Sequence, residues 1–189
     1  MRFEPLTIPD VVLIEPDVFR DERGFFFEVF EARKYAQAGI TAAMVQDNHS
    51  GSCQGVLRGL HYQLQNPQGK LVTVIAGEIF DVAVDMRRTS PTCGQWVGTN
   101  LSSANRRQLW IPPGFAHGYY VLSPWAETLY KVTDFYNPKG ERTLLWNDPD
   151  VNIAWPLLDG KQPLLSPKDA RGSALTHADL YGEIAPAAP

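Results

Sequence analysis

Four histidines, His49, His61, His117 and His177, are the side chains of this 189-residue sequence best suited to moving protons near neutral pH, because an unperturbed imidazole titrates there. His61 stands in Val56-Leu57-Arg58-Gly59-Leu60-His61-Tyr62-Gln63. In a strand, Arg58 and His61 face opposite sides unless Gly59 bends the chain or forms a bulge that lets both reach one pocket. A buried structural histidine beside a surface arginine is the other reading of this octapeptide. A base acting on a carbon beside a ketone needs positive charge at the carbonyl oxygen, since such a proton is very weakly acidic. Lys70, in Gln68-Gly69-Lys70, is a candidate for that charge, and a solvated lysine at a turn is its alternative. Inversion at carbon also needs a proton carrier on the opposite face. Tyr130, in Glu127-Thr128-Leu129-Tyr130-Lys131, holds its proton at neutral pH and can give it up to a carbanion; a tyrosine in a barrel strand can equally be core.

The elements that must position these groups read as strands. Lys70 to Asp85 holds two β-rich runs around Ala76-Gly77-Glu78. In the second run Phe80, Val82 and Val84 alternate with Asp81, Ala83 and Asp85, the period of a half-buried strand. Further strands are predicted at Gln95 to Leu101, Arg107 to Ile111, His117 to Val121 and Glu127 to Tyr136, separated by turns rich in Pro and Gly. Short strands at this spacing predict an antiparallel sandwich or barrel. Helix signals are sparse: Glu31 to Ala38 with Gly39 as C-cap, and a short SPKDA helix with Ser166 as N-cap and Pro167 at the first position. The tail Glu183 to Pro189 reads as frayed.

Composition narrows the classes. The apolar fraction is 44% and the charged fraction 20%, ordinary for a globular protein, and the length suits one core rather than two. There is no apolar run long enough to cross a bilayer and no secretion signal at MRFEPLTIPD, so the expected location is cytoplasmic, with no membrane partner. The net charge of -4 argues against a nucleic-acid partner but leaves room for a small anion held by clustered arginines. Cys53 and Cys93 read as two small buried or half-buried residues.

His117 lies in Ile111-Pro112-Pro113-Gly114-Phe115-Ala116-His117-Gly118. This P-x-G-x-x-H pattern resembles the second motif of the cupin superfamily of small jelly-roll barrels, in agreement with the strand count. Metal-binding cupins carry H-x-H in their first motif. Here that position reads His61-Tyr62-Gln63, and glutamine is a poor ligand beside imidazole. A metal site is therefore disfavoured on ligand count, and no cofactor is expected; without a metal, the pocket's chemistry is proton transfer.

Nine segments in order complete the resemblance: Arg20-Asp21-Glu22-Arg23-Gly24-Phe25-Phe26-Phe27-Glu28, Gln46-Asp47-Asn48-His49-Ser50, the His61 octapeptide, Gln68-Gly69-Lys70-Leu71-Val72, Gly94-Gln95-Trp96, the His117 segment from Trp110, Leu129-Tyr130-Lys131, Leu145-Trp146-Asn147-Asp148-Pro149 and Leu165-Ser166-Pro167-Lys168-Asp169-Ala170. Together they resemble the dTDP-4-dehydrorhamnose 3,5-epimerase family. The resemblance implies a mainly β, cupin-type antiparallel jelly-roll barrel with a few short helices. It implies one domain over 1–189: an N-terminal segment 1–50 serving site and dimer, a jelly-roll core 51–150, and a C-terminal segment 151–189. It implies a homodimer and a dTDP-linked 4-keto-6-deoxy sugar as substrate, epimerised at C3 and C5.

By the same resemblance His61 matches the base, Asp169 its carboxylate partner, Tyr130 the acid and Lys70 the enolate stabiliser. Such a carboxylate is expected to raise the histidine's basicity. Nucleotide and sugar contacts carry over to Arg23, Glu28, Gln46, Asn48, Arg58, His117, Glu141 and Lys168, with Tyr136 stacking on thymine and Phe26 in apolar contact. Arg23, Phe26 and Glu28 are expected to complete the neighbouring subunit's site. His49 and His177 are read as a polar residue behind the site and an exposed one. The alternatives are a monofunctional 3- or 5-epimerase, a metal-dependent cupin using His61 and His117 with Gln63 or Glu78, and a non-catalytic sugar-binding cupin.

Overall fold

The computed structural model describes residues 1–182; the tail read as frayed lies outside the described residues. In chain order the strands are β1 (Arg2–Pro5), β2 (Val12–Glu15), β3 (Val18–Asp21), β4 (Gly24–Phe27), β5 (Gln46–Cys53) and β6 (Leu57–Gln63). They continue with β7 (Lys70–Ala76), β8 (Glu78–Asp85), β9 (Trp96–Ser102), β10 (Gln108–Ile111), β11 (Phe115–Val121), β12 (Trp125–Val132) and β13 (Glu141–Thr143). They form a six-stranded sheet in the order β1-β2-β10-β7-β12-β5, a five-stranded sheet β13-β6-β11-β8-β9, and the separate hairpin β3-β4. Every pairing between these strands is antiparallel. This is the mainly β, cupin-like double-sheet barrel that the strand count predicts.

The main core lies between the two sheets, where Val72, Val74 and Leu109 meet Ile79, Ala83, Val97 and Phe115. β7 and β8 belong to different sheets, so the chain must cross the barrel at Gly77. That residue has φ +73°, and a Cβ there would stand 2.0 Å from the Trp125 carbonyl oxygen; only glycine fits.

β8 is not half-buried. Phe80, Val82 and Val84 pack in an outer layer against Leu144 and against Val151, Trp155 and Tyr181 of the C-terminal segment, while Asp81, Ala83 and Asp85 are wholly buried on the other face. The period-2 pattern holds, but its polar face points inward. Asp81 is paired with His117, and Asp85 accepts from Arg87, Ser90 and Thr92. Each large apolar side chain buried under the C-terminal cover contributes about 1.5–3 kcal/mol.

The helix α1 spans Ala32–Gln37, with the Glu31 carboxylate capping the Lys34 amide. Its C-cap is Ala38, one residue before the expected Gly39. The SPKDA segment forms only a 3-10 turn at Asp169–Arg171, with Ser166 Oγ accepting the Asp169 amide at 3.1 Å. The last long strand ends at Val132, four residues before Tyr136. Cys53 is exposed rather than buried, and both cysteines are free.

Candidate active site

Residues directly opposite each other on neighbouring strands share a face of the sheet. In the six-stranded sheet Tyr130 lies opposite Asn48 and Val72, and Val132 lies opposite Gln46 and Lys70. Gln46, Asn48, Lys70 and Tyr130 therefore project from one face. In the five-stranded sheet His61 lies opposite His117 and Thr143, and Gln63 opposite Glu141. The two faces meet across a cavity of about 220 Å³, whose lining includes Gln46, Asn48, His61, Lys70, Tyr130 and Glu141.

The bend anticipated at Gly59 is present. Between β6 and β11, Arg58 pairs with Tyr119 and His61 with His117, so three steps on one strand answer two on the other. The extra residue returns Arg58 and His61 to the same face. A Cβ on Gly59 would lie 2.5 Å from the Gly118 Cα, so the two strands touch there. The Arg58 guanidinium turns toward β5, donating to Ser52 Oγ at 2.9 Å and the Gly51 carbonyl at 3.3 Å.

His61 Nε2 is 2.5 Å from Asp169 Oδ1, and the Asp169 side chain is almost wholly buried. The contact joins residues 108 positions apart. With Nε2–H donated to the carboxylate, Nδ1 carries the free lone pair. Burial holds the His61 pKa below its ordinary value, outweighing the hydrogen bond and charge of Asp169, and the Lys168 and Lys70 charges add to the drop. Asp169 does raise the histidine's basicity, as expected of a carboxylate partner, but desolvation is the larger effect and the net shift is downward. For Asp169 burial pushes the other way, but the His61 hydrogen bond and charge, with Ser166 and Lys168, hold it below the usual carboxylate value.

Lys70 is not a solvated turn lysine. It is buried, donates to the His61 carbonyl oxygen at 3.2 Å, and burial brings its pKa down to about 8 against the opposing charges of Asp81 and Glu141. Burial raises the Tyr130 phenol, so it stays protonated at neutral pH. Tyr136 is no strand-end core residue: its ring is exposed, its hydroxyl donates to Glu141 Oε2 at 3.0 Å, and its amide donates to Gln46 Oε1 at 3.3 Å. Glu141 Oε1 also accepts from Lys168 Nζ at 2.6 Å. Gln46 Nε2 donates to Asn48 Oδ1 at 2.8 Å.

His117 shares the inner face but is buried, with Nε2 2.8 Å from Asp81 Oδ1. Among the described residues no three His, Cys, Asp or Glu side chains are grouped to hold a metal ion. The helpers of a metal reading are engaged elsewhere: Gln63 grips backbone groups, and Glu78 accepts from Asn100 at 3.1 Å. Because Asn48 points inward, His49 points outward, where it meets Glu127 at 3.0 Å; it is not behind the site. Arg23, Phe26 and Glu28 stand apart from the cavity. Arg23 is paired with Asp21 and Glu28 with Lys34, and Phe26 is 70% exposed. Three residues lining the cavity, Tyr62, Gln63 and Gln68, are absent from the expected epimerase site; Gln63 entered only as a helper of the metal reading, and the H-x-Q spacing, which sets it on the His61 face, was the available signal for it.

Fold and cavity define a class of protein: a double-sheet β-barrel whose pocket sets a carboxylate-bound histidine opposite a half-buried tyrosine and a buried lysine. The family model described as dTDP-4-dehydrorhamnose 3,5-epimerase matches residues 5–177, and the chain belongs to that family. A dTDP-4-dehydrorhamnose 3,5-epimerase from Pseudomonas aeruginosa is 58% identical over 182 residues, covering 96% of this chain and 99% of that relative. The one from Shigella flexneri is 56% identical, covering 92% and 96%. Among solved structures, dTDP-6-deoxy-D-glucose-3,5-epimerase from Legionella pneumophila, in complex with dTDP-4-keto-L-rhamnose, is 53% identical with a TM-score of 0.93, covering 97% of this chain and 99% of that one.

Proposed function

We propose that this chain epimerises dTDP-4-dehydro-6-deoxy-D-glucose at C3 and C5, giving dTDP-4-dehydro-L-rhamnose. The observation that carries the reading is the placement of His61–Asp169 and Tyr130 on opposed walls of one cavity, with Lys70 beside them. His61 Nδ1 takes the proton from a carbon flanking the C4 ketone, and the C–H electrons move onto the ketone oxygen as an enolate. The Lys70 ammonium stabilises that oxygen. The Tyr130 hydroxyl delivers a proton to the carbon's other face, and the ketone re-forms. Each inversion leaves an imidazolium and a phenolate, which exchange protons with solvent before the second carbon is served.

In this reading Arg58 and Lys168 meet the diphosphate, where arginine's planar fork can bind two oxygens at once. Gln46, Asn48, His117 and Glu141 position sugar and base, and Tyr136 stacks on thymine. The whole chain acts as one unit. The exposed hairpin β3-β4 offers Arg23 and Phe26, with Glu28 just beyond, to a second copy, so a homodimer is expected; light scattering at twice the chain mass checks it. No helix among the described residues is long and apolar enough to cross a membrane, and a cytoplasmic location is the expectation that cell fractionation tests.

The deciding experiment is turnover in heavy water followed by NMR of the product. Deuterium is expected at both C3 and C5. Label at one carbon reduces the activity to a monofunctional epimerase, and label at neither removes the reading.

A further inference from the structure

Gln63 is a buried, uncharged side chain two residues beyond His61, opposite Glu141. Its amide is occupied on both ends. Nε2 donates to the Asn66 carbonyl at 2.7 Å and the Phe135 carbonyl at 3.2 Å, and Oε1 accepts the Asn137 amide at 2.9 Å. The groups gripped at 135 and 137 bracket Tyr136. On the other side of the strand the Gln63 carbonyl accepts the Tyr181 hydroxyl at 2.7 Å, which ties the clamp to the buried C-terminal cover. The Asn137 side chain adds a 3.0 Å bond to Asn66 Oδ1.

Tyr136 itself has little to hold it. Its ring is 54% exposed, and its hydroxyl reaches only Glu141. The ring's place in the cavity mouth is thus set by the backbone of 135–137, which the Gln63 amide holds at 135 and 137 while Gln46 Oε1 holds the Tyr136 amide between them. No other side chain type does this well: a carboxylate cannot donate to two carbonyls, and an apolar side chain would leave the Asn66 and Phe135 carbonyls and the Asn137 amide without their partner.

We propose that Gln63 is the positioning residue for Tyr136, and through it determines how tightly the nucleoside diphosphate part of the substrate is held. The inference rests on the proposed function in taking Tyr136 as the base-stacking ring. Gln63 touches no reacting atom, so it acts on binding and not on proton transfer.

The test measures dTDP affinity by calorimetry, and KM and kcat with the keto sugar, for wild type, Gln63→Met, Gln63→Glu, Tyr136→Ala and the two double variants. Gln63→Met should weaken dTDP binding and raise KM by about tenfold, with kcat within about twofold. In the Tyr136→Ala background the same substitution should change dTDP affinity by less than about twofold, because the ring it positions is gone. Three results overturn the inference: unchanged affinity in Gln63→Met, a fall in kcat with KM unchanged, or an undiminished effect in the Tyr136→Ala background. If circular dichroism shows Gln63→Met unfolded, Gln63→Glu carries the same cycle, since it keeps the volume and the acceptor for Asn137 and replaces the donating amide with a carboxylate oxygen that faces the two carbonyls. A wild-type chain that binds no dTDP overturns the proposed function as well, whereas binding that ignores Gln63 overturns the inference alone.

Discussion

The two walls of the cavity hold their titratable groups under the same physical pressure with opposite chemical results. On the five-stranded wall, burial pushes His61 down and leaves Nδ1 an unprotonated acceptor. On the six-stranded wall, burial pushes Tyr130 up and leaves the phenol a proton donor. Desolvation favours the neutral form of each, and the neutral form of an imidazole is a base while that of a phenol is an acid. Lys70 is the exception on the second wall. At about 8 its pKa leaves the ammonium mostly charged at neutral pH, held there by Asp81 and Glu141 against the drop from burial. In the proposed reaction these groups supply the base on one face and the acid and cation on the other that inversion beside a ketone requires.

The contrast is broken most severely on the histidine wall. His61→Ala should lower kcat by about 10³–10⁴-fold and abolish deuterium entry at C3 and C5, because no group remains to remove the proton. Asp169→Asn should be nearly as damaging, at about 10³-fold, while binding of dTDP measured by calorimetry stays within about threefold of wild type.

On the opposite wall the outcome differs in kind. Tyr130→Phe should lower inversion by about 10²-fold, yet His61 can still return a deuteron to the face it came from. NMR in heavy water should therefore show label in unreacted substrate with its configuration retained. Inversion at the wild-type rate in this variant would remove Tyr130 from the acid role.

The pH dependence sharpens the same comparison. As pH falls, His61 takes up a proton and the base is lost, at a value below the ordinary 6.5. As pH rises through about 8, Lys70 loses its charge and enolate stabilisation is lost. The profile of kcat/KM should be a bell with these two limbs. Lys70→Arg should move the alkaline limb upward, since guanidinium stays charged. The smallest effect is expected outside the cavity: His49→Ala, on the outer face of β5, should leave kcat/KM within about twofold.

Much of the fold was legible because alternation and turn residues leave a local record. β7 and β8 appear in the sequence with nearly their observed bounds, split at Gly77. β5 does not, since Gln46–Cys53 is polar throughout and has no apolar period to read. In β8 the period is legible and the orientation is not. Its two faces were correctly separated, but polarity could not say which faces inward when the C-terminal segment covers one and buried, hydrogen-bonded carboxylates stand on the other. At the site, His61, Lys70 and Tyr130 stood out by side-chain chemistry, whereas Asp169, 108 residues from His61, was reachable only through the family resemblance.

The sequence by itself determined the strand periods, the glycines at the crossing and at the bulge, and the types of side chain available to move a proton. Tertiary structure decided which of them face one another and in what state of charge. The reason is that strand register and alternation are local, set by residues one or two positions apart, while a pKa is set by the balance of desolvation and charge from groups that meet only when both sheets close. For His61 the partner carboxylate pulls one way and burial the other, and only the closed barrel determines that burial prevails.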